Sequence, residues 1–165
     1  MPQVSASTKT FQQGMEKRIN NAVVHAIRDT MTQNPGLVLM RDDTLMCSNG
    51  RNQRPDGGAI WLKTTHHKKL LLVLEAKYNN EFGNAYERIG TCLGESETVC
   101  KKEGASRLIF FSGEGFVKNH LNIKTVKNFA RNHYKTSCFY QQDLFSVQQV
   151  YDIVMKQLKQ HITQL

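Results

Sequence analysis

The chain has 165 residues, with 22 Lys+Arg against 14 Asp+Glu and a formal charge of +8. That length makes one domain with a proper core, and the basic excess suits a polyanion such as nucleic acid, although a merely basic soluble protein carries the same charge. No apolar run approaches the roughly 20 residues of a membrane span, and Cys47, Cys92, Cys100 and Cys138 show no zinc spacing, so reduced thiols and a cytoplasmic location are expected.

Met1 to Lys9 is polar, lacks a signal-peptide pattern and reads as a flexible leader, leaving residues 10–165 as a single domain. Thr10 with Gln13 can form a capping box. Behind it Phe11, Met15, Ile19, Ala22, Val23, Ala26 and Ile27 recur at helical spacing until Asn34-Pro35-Gly36 stops the helix. Glu16 on this helix reads as a solvated charge paired with a lysine; the alternative is an approach to the site described below. Leu37 to Met40 and Leu45 to Cys47 are short strand candidates around a turn at Arg41-Asp42-Asp43, and Ser48-Asn49-Gly50 is a further turn.

Arg54-Pro55-Asp56-Gly57-Gly58 is a turn into a strand, Ala59 to Leu62. Pro55 fixes the backbone before Asp56, and the two glycines let another group approach closely. His66 and His67 sit in the following loop among lysines; a solvated loop tip is expected, with metal ligation as the alternative. Leu70 to Leu74 is uninterrupted apolar, the pattern of a strand covered on both faces, and it runs into Glu75-Ala76-Lys77. Strand alternation puts Glu75 and Lys77 on one side and Ala76 on the other. Charges at the end of a core strand need partners, and Asp56 is the natural third member. Two converging carboxylates suit Mg²⁺ with waters retained. A lysine beside them can orient or deprotonate a water, or stabilise charge on a phosphate.

A helix is expected from about residue 83 to Cys100, then a strand at Leu108 to Phe111, a basic helix at Leu121 to His133 and an edge strand at Cys138 to Tyr140. The last helix follows Ser146, with Gln149 closing a capping box and Val147, Val150, Tyr151, Val154, Leu158 and Ile162 on one stripe. The element order implies an α/β fold, a mixed β-sheet with helices on both faces. At the start of the 83–100 helix, Asn84 and Arg88 project from one face with Glu87 beside both as a brace. Asn suits the adenine N6/N7 edge, Arg donates to purine N7, and Ala85 could meet a thymine methyl. By spacing alone, the same residues also make an ordinary helix start.

Pro55-Asp56-Gly57-Gly58, then Leu74-Glu75-Ala76-Lys77, then Gly83-Asn84-Ala85-x-Glu87-Arg88 resemble the EcoRI/MunI group of type II restriction endonucleases, within the PD-(D/E)XK nuclease superfamily. The second motif is the specific part, since Asp…Glu-x-Lys recurs often by chance. The resemblance covers about residues 45–115. It implies a restriction-endonuclease-like core and a homodimer that uses Mg²⁺, with no organic cofactor, to hydrolyse double-stranded DNA at a palindrome containing AATT. Carried over by residue, it implies Asp56, Glu75 and the Ala76 carbonyl as metal ligands and Lys77 as the catalytic lysine. Asn84, Ala85 and Arg88 become base readers, braced by Glu87. Only Tyr78 to Phe82 separate Lys77 from the reading motif, where EcoRI carries a long insertion, and Asn80-Glu81-Phe82 also differ from the residues that read the outer base pair in EcoRI. A four-base AATT site and a six-base site with AATT inside are both compatible with this. A structure-specific or repair nuclease of the same superfamily, or a DNA-binding protein that never cuts, are the alternatives.

Overall fold

The computed structural model describes residues 6–47, 50–78, 97–114 and 136–165. A long helix, α1 (Ala6–Gln33), leads into β1 (Val38–Asp42) and a small ribbon of β2 (Leu45–Met46) with β3 (Asn52–Gln53). β4 (Gly58–Lys63), β5 (Lys68–Tyr78), α2 (Glu97–Glu103), β6 (Ser106–Ser112), β7 (Thr136–Gln141) and α3 (Val147–Thr163) follow. Among the described residues the main sheet has five strands in the order β1-β4-β5-β6-β7. Its first half is antiparallel, β1 on β4 and β4 on β5; its second half is parallel, β5 on β6 and β6 on β7. The expected α/β class with a mixed sheet is therefore what the chain adopts, and β7 is an edge strand as expected.

α1 and α3 pack on one another over one sheet face. Met15, Ile19, Ala22, Val23 and Ala26 are fully buried there against Leu72, Leu74 and Ala76 of β5, with Val150, Val154 and Leu158 of α3. Phe11, at the start of the same stripe, is 45% exposed, but its ring lies 4.9 Å from that of Tyr78. The other face is covered by α2, where Cys100 joins Ala59, Leu70, Val73 and Ala105. The Ser146 box forms as expected: Gln149 N–H donates to Ser146 Oγ at 3.1 Å, and Ser146 N–H donates to Gln149 Oε1 at 2.9 Å. Tyr151 then donates from its hydroxyl to Asp29 at 2.6 Å, tying α3 to α1.

The structure differs from expectation at the start of α1, at β3 and in the alternation of β5. α1 begins at Ala6, so Thr10 lies inside it and starts no helix, and Ala6 to Lys9 belong to α1 rather than to a leader. The helix ends as expected, at Asn34, whose N–H and side-chain amide both donate to the Thr30 carbonyl. β3 was not foreseen; its short polar run carries no alternation and is held only by pairing with β2. A bulge in β5 also resets its alternation, because Ile60 pairs with Leu72 and Trp61 with Leu70, leaving Leu71 extra. Beyond the bulge, Val73, Glu75 and Lys77 face α2, while Leu72, Leu74, Ala76 and Tyr78 face α1 and α3. Most of the 83–100 helix and all of the basic 121–133 helix fall outside the described residues; α2 corresponds to the end of the first.

Candidate active site

β4 is shorter than β5, and the site grows from that mismatch. Their last paired residues are Gly58 and Leu74, so Glu75 to Tyr78 extend past the neighbouring strand. The main-chain groups left on that side still need partners, since buried N–H and C=O groups are almost always hydrogen-bonded. The Pro55–Gly58 turn supplies the first two. Gly57 N–H donates to the Leu74 carbonyl at 2.9 Å, and the next main-chain donor, Ala76 N–H, gives its hydrogen bond to Asp56 Oδ2 at 3.1 Å. Gln12 of α1 supplies the rest: its Nε2 donates to the Ala76 carbonyl at 2.8 Å, and its Oε1 accepts from Tyr78 N–H at 2.7 Å.

The turn is held against α1 and β1. A Cβ on Gly57 would lie 2.6 Å from both Ile19 Cγ2 and Leu74 Cβ, so only glycine fits between helix and strand. Gly58 has a φ of 83°, and a Cβ there would strike the Arg41 guanidinium. Arg41 Nε donates to the Gly57 carbonyl at 3.3 Å, and its other nitrogens reach Asn20 of α1 and Asp43. Arg41, expected only as part of a turn, thus anchors the Asp56 loop to two elements.

Asp56 Oδ2 also pairs with Lys77 Nζ at 3.3 Å, both side chains being mostly buried. Glu16 faces the same pair. Burial pushes its carboxyl above the usual value, the Gln12 amide works against that, and the facing Asp56 carboxylate adds to the rise while Lys77 opposes it. The solvated charge expected at Glu16 is therefore a half-buried acid in the site. Glu75 is 3% exposed and shares the α2 side of β5 with Lys77, as alternation requires. It lies near Cys100 and the fully buried Arg107; burial drives the Cys100 thiol up to about 12, with Arg107 lowering it and Glu75 raising it.

Asp56 and Lys77 thus meet, with the Ala76 backbone between them and Glu75 on the Lys77 face. His66 and His67 are exposed in their loop, as expected of a solvated tip. Among the described residues no group of three or more His, Cys, Asp or Glu side chains is placed to hold a metal ion. The oxygens that the structure brings together are those of Asp56, Glu16 and the Ala76 carbonyl, while Glu75, on the Lys77 face, lies near Cys100 and Arg107. Those three make a hard donor set of two carboxylates and one backbone oxygen, the kind Mg²⁺ accepts while keeping several waters. Asn84, Ala85, Glu87 and Arg88 lie outside the described residues. No described helix is long and apolar enough to cross a membrane. The chain matches no family model, no curated protein and no solved structure.

Sequence reasoning gave Gln12 no role and gave Glu16 a place at the site only as the alternative reading. Their signal was present: they stand one helical turn apart, beside the Met15–Ile19 stripe, so they border the buried face of α1.

Proposed function

We propose that this protein is an Mg²⁺-dependent endonuclease that cuts double-stranded DNA at a palindrome containing AATT, with a restriction-endonuclease-like core, acting in the cytoplasm as a homodimer. The observation that carries the reading is the 3.3 Å pairing of Asp56 with Lys77 across a glycine turn and the end of a core strand. A lysine and an acid from the Asp…Glu-x-Lys pattern are held together in a protein whose formal charge of +8 favours a polyanion. Asp56, Glu75 and the Ala76 carbonyl would hold the cation. Bound there, it supplies the charge that polarises a scissile phosphate and acidifies an attacking water. Lys77 orients that water and offsets charge developing on the phosphate oxygens. Asn84, Ala85 and Arg88, braced by Glu87, read the bases; this part rests on the sequence resemblance. A two-fold protein matches a two-fold site and brings one active site to each strand.

The test is incubation of the protein with supercoiled plasmid and Mg²⁺, followed by sequencing of the ends. Discrete fragments ending at AATT, absent with EDTA, are expected. Products set by DNA shape without a common sequence would point to a structure-specific nuclease, and EDTA-resistant binding without products to a DNA-binding protein that never cuts.

A further inference from the structure

The Gln12 side chain makes three hydrogen bonds in the site. Its Oε1 accepts from Tyr78 N–H at 2.7 Å, and its Nε2 donates to the Ala76 carbonyl at 2.8 Å and to Glu16 Oε1 at 3.0 Å. This pattern fixes the orientation of the amide. Reversed, it would set its NH₂ against the Tyr78 N–H and its oxygen against two other oxygens. Gln12 therefore spends both of its N–H groups on oxygen acceptors that flank Asp56, and pairs with β5 much as a neighbouring strand would. A carbonyl and a carboxylate oxygen each have a further lone pair, so neither acceptor is exhausted by this contact.

We propose that Gln12 is a positioning residue for the cation, holding the Ala76 carbonyl and the Glu16 carboxylate at fixed places beside Asp56. This rests on the metal-dependent reading of the site given above. The Ala76 carbonyl lies where β5 keeps β6 on one side but has lost β4 on the other, and a ligand must already sit near its bound position. The Gln12 amide holds that oxygen in place. Its action is through Ala76 and Glu16, so it belongs to the outer sphere of hydrogen bonds that orients direct ligands. Loss of such partners typically weakens metal binding about 10- to 100-fold.

The experiment measures Mn²⁺ binding to the intact, DNA-free protein by the electron paramagnetic resonance signal of free Mn²⁺, with thermal melting followed in parallel. Gln12→Met keeps the length and apolar stem of the side chain and deletes all three hydrogen bonds. It should bind Mn²⁺ at least about tenfold more weakly than the unaltered protein. Gln12→Asn, too short to span Ala76 and Tyr78, should do the same and serves if the methionine variant does not fold. Ser146→Ala removes the α3 capping box, whose hydrogen bonds involve neither Gln12 nor Ala76 nor Glu16, and should keep the native affinity. Native-strength binding by a folded Gln12 variant overturns the inference, as does an equal loss in Ser146→Ala. If the unaltered protein binds no Mn²⁺, or Asp56→Asn binds it undiminished, the metal reading itself falls and this inference with it. Full binding by the native protein, its loss in Asp56→Asn and native affinity in Gln12→Met together would refute only the role of Gln12.

Discussion

Replacing Gly57 with alanine is the sharpest probe of how the site is built. The added methyl would lie 2.6 Å from Ile19 Cγ2 and 2.6 Å from Leu74 Cβ, well inside van der Waals contact. Neither neighbour can retreat easily. Ile19 is fully buried in the α1 stripe, and Leu74 Cβ is attached directly to a core strand. The turn or α1 must therefore shift, and overpacking of this kind costs about 1–3 kcal/mol. Against this, alanine reduces the freedom of the unfolded chain by about 0.4–1 kcal/mol. A net loss of roughly 1–2 kcal/mol follows, lowering Tm by about 2–8 °C for a chain of this size. Urea and thermal unfolding followed by circular dichroism would measure it. The same shift should draw Asp56 away from Ala76 N–H and Lys77, so the proposed nuclease activity should fall by more than the stability loss explains. An alanine variant with native Tm and native activity would show that the turn does not depend on this close approach.

Lys77→Ala should keep DNA affinity in a gel-shift assay while plasmid cleavage is abolished; cleavage at the native rate would remove Lys77 from the chemistry. Replacing Asn84 or Arg88 should cost roughly 1–3 kcal/mol of base discrimination each, read as cleavage of sites altered within AATT. His161 donates to or accepts from Ser106 Oγ at 3.0 Å, and burial, helped by Lys69, holds its imidazole below the ordinary value of 6.5. Below pH 6.5 the unfolded chain therefore binds more protons than the folded one, and stability falls as pH drops towards the depressed folded value. His161→Gln should flatten that part of the stability curve, measured as Tm against pH; an unchanged slope would refute it.

The parts of the fold legible in the sequence were those fixed by local pattern. The Leu70–Leu74 run announced the central strand, the Met15–Ile27 spacing announced α1, and Ser146 with Gln149 announced the start of α3. Each depends on residues close together in the chain. The start of α1 was misread because a capping box is also compatible with the middle of a helix, and nothing local distinguishes the two at Thr10. The bulge in β5 left no mark among five consecutive apolar residues, although it decides which leucines face α1. In the site, the pairing of Asp56 with Lys77 was legible from residue type and spacing. Arg41 and Gln12 were not, and Glu16 was so only as an alternative, because their roles come from α1 and β1 packing against a turn far along the chain.

Arg41 is also part of the reason why the Asp56 carboxylate sits where it does. A side chain on a free loop would turn outward to water, because facing another acid is unfavourable. Here Arg41 fixes the Gly57 carbonyl, Gly57 lodges between Ile19 and Leu74, and Ala76 N–H and Lys77 hold Oδ2. The carboxylate is thus held facing Glu16 by contacts that owe nothing to Glu16. Burial and that facing charge raise the Glu16 carboxyl, and Lys77 offsets the crowding only in part. Two acidic side chains, Asp56 and Glu16, therefore meet Lys77 there, in a chain that is basic as a whole. A structural ion pair would be served by Asp56 and Lys77 alone. The extra acid, brought in from α1, makes sense if a further positive charge is meant to join them.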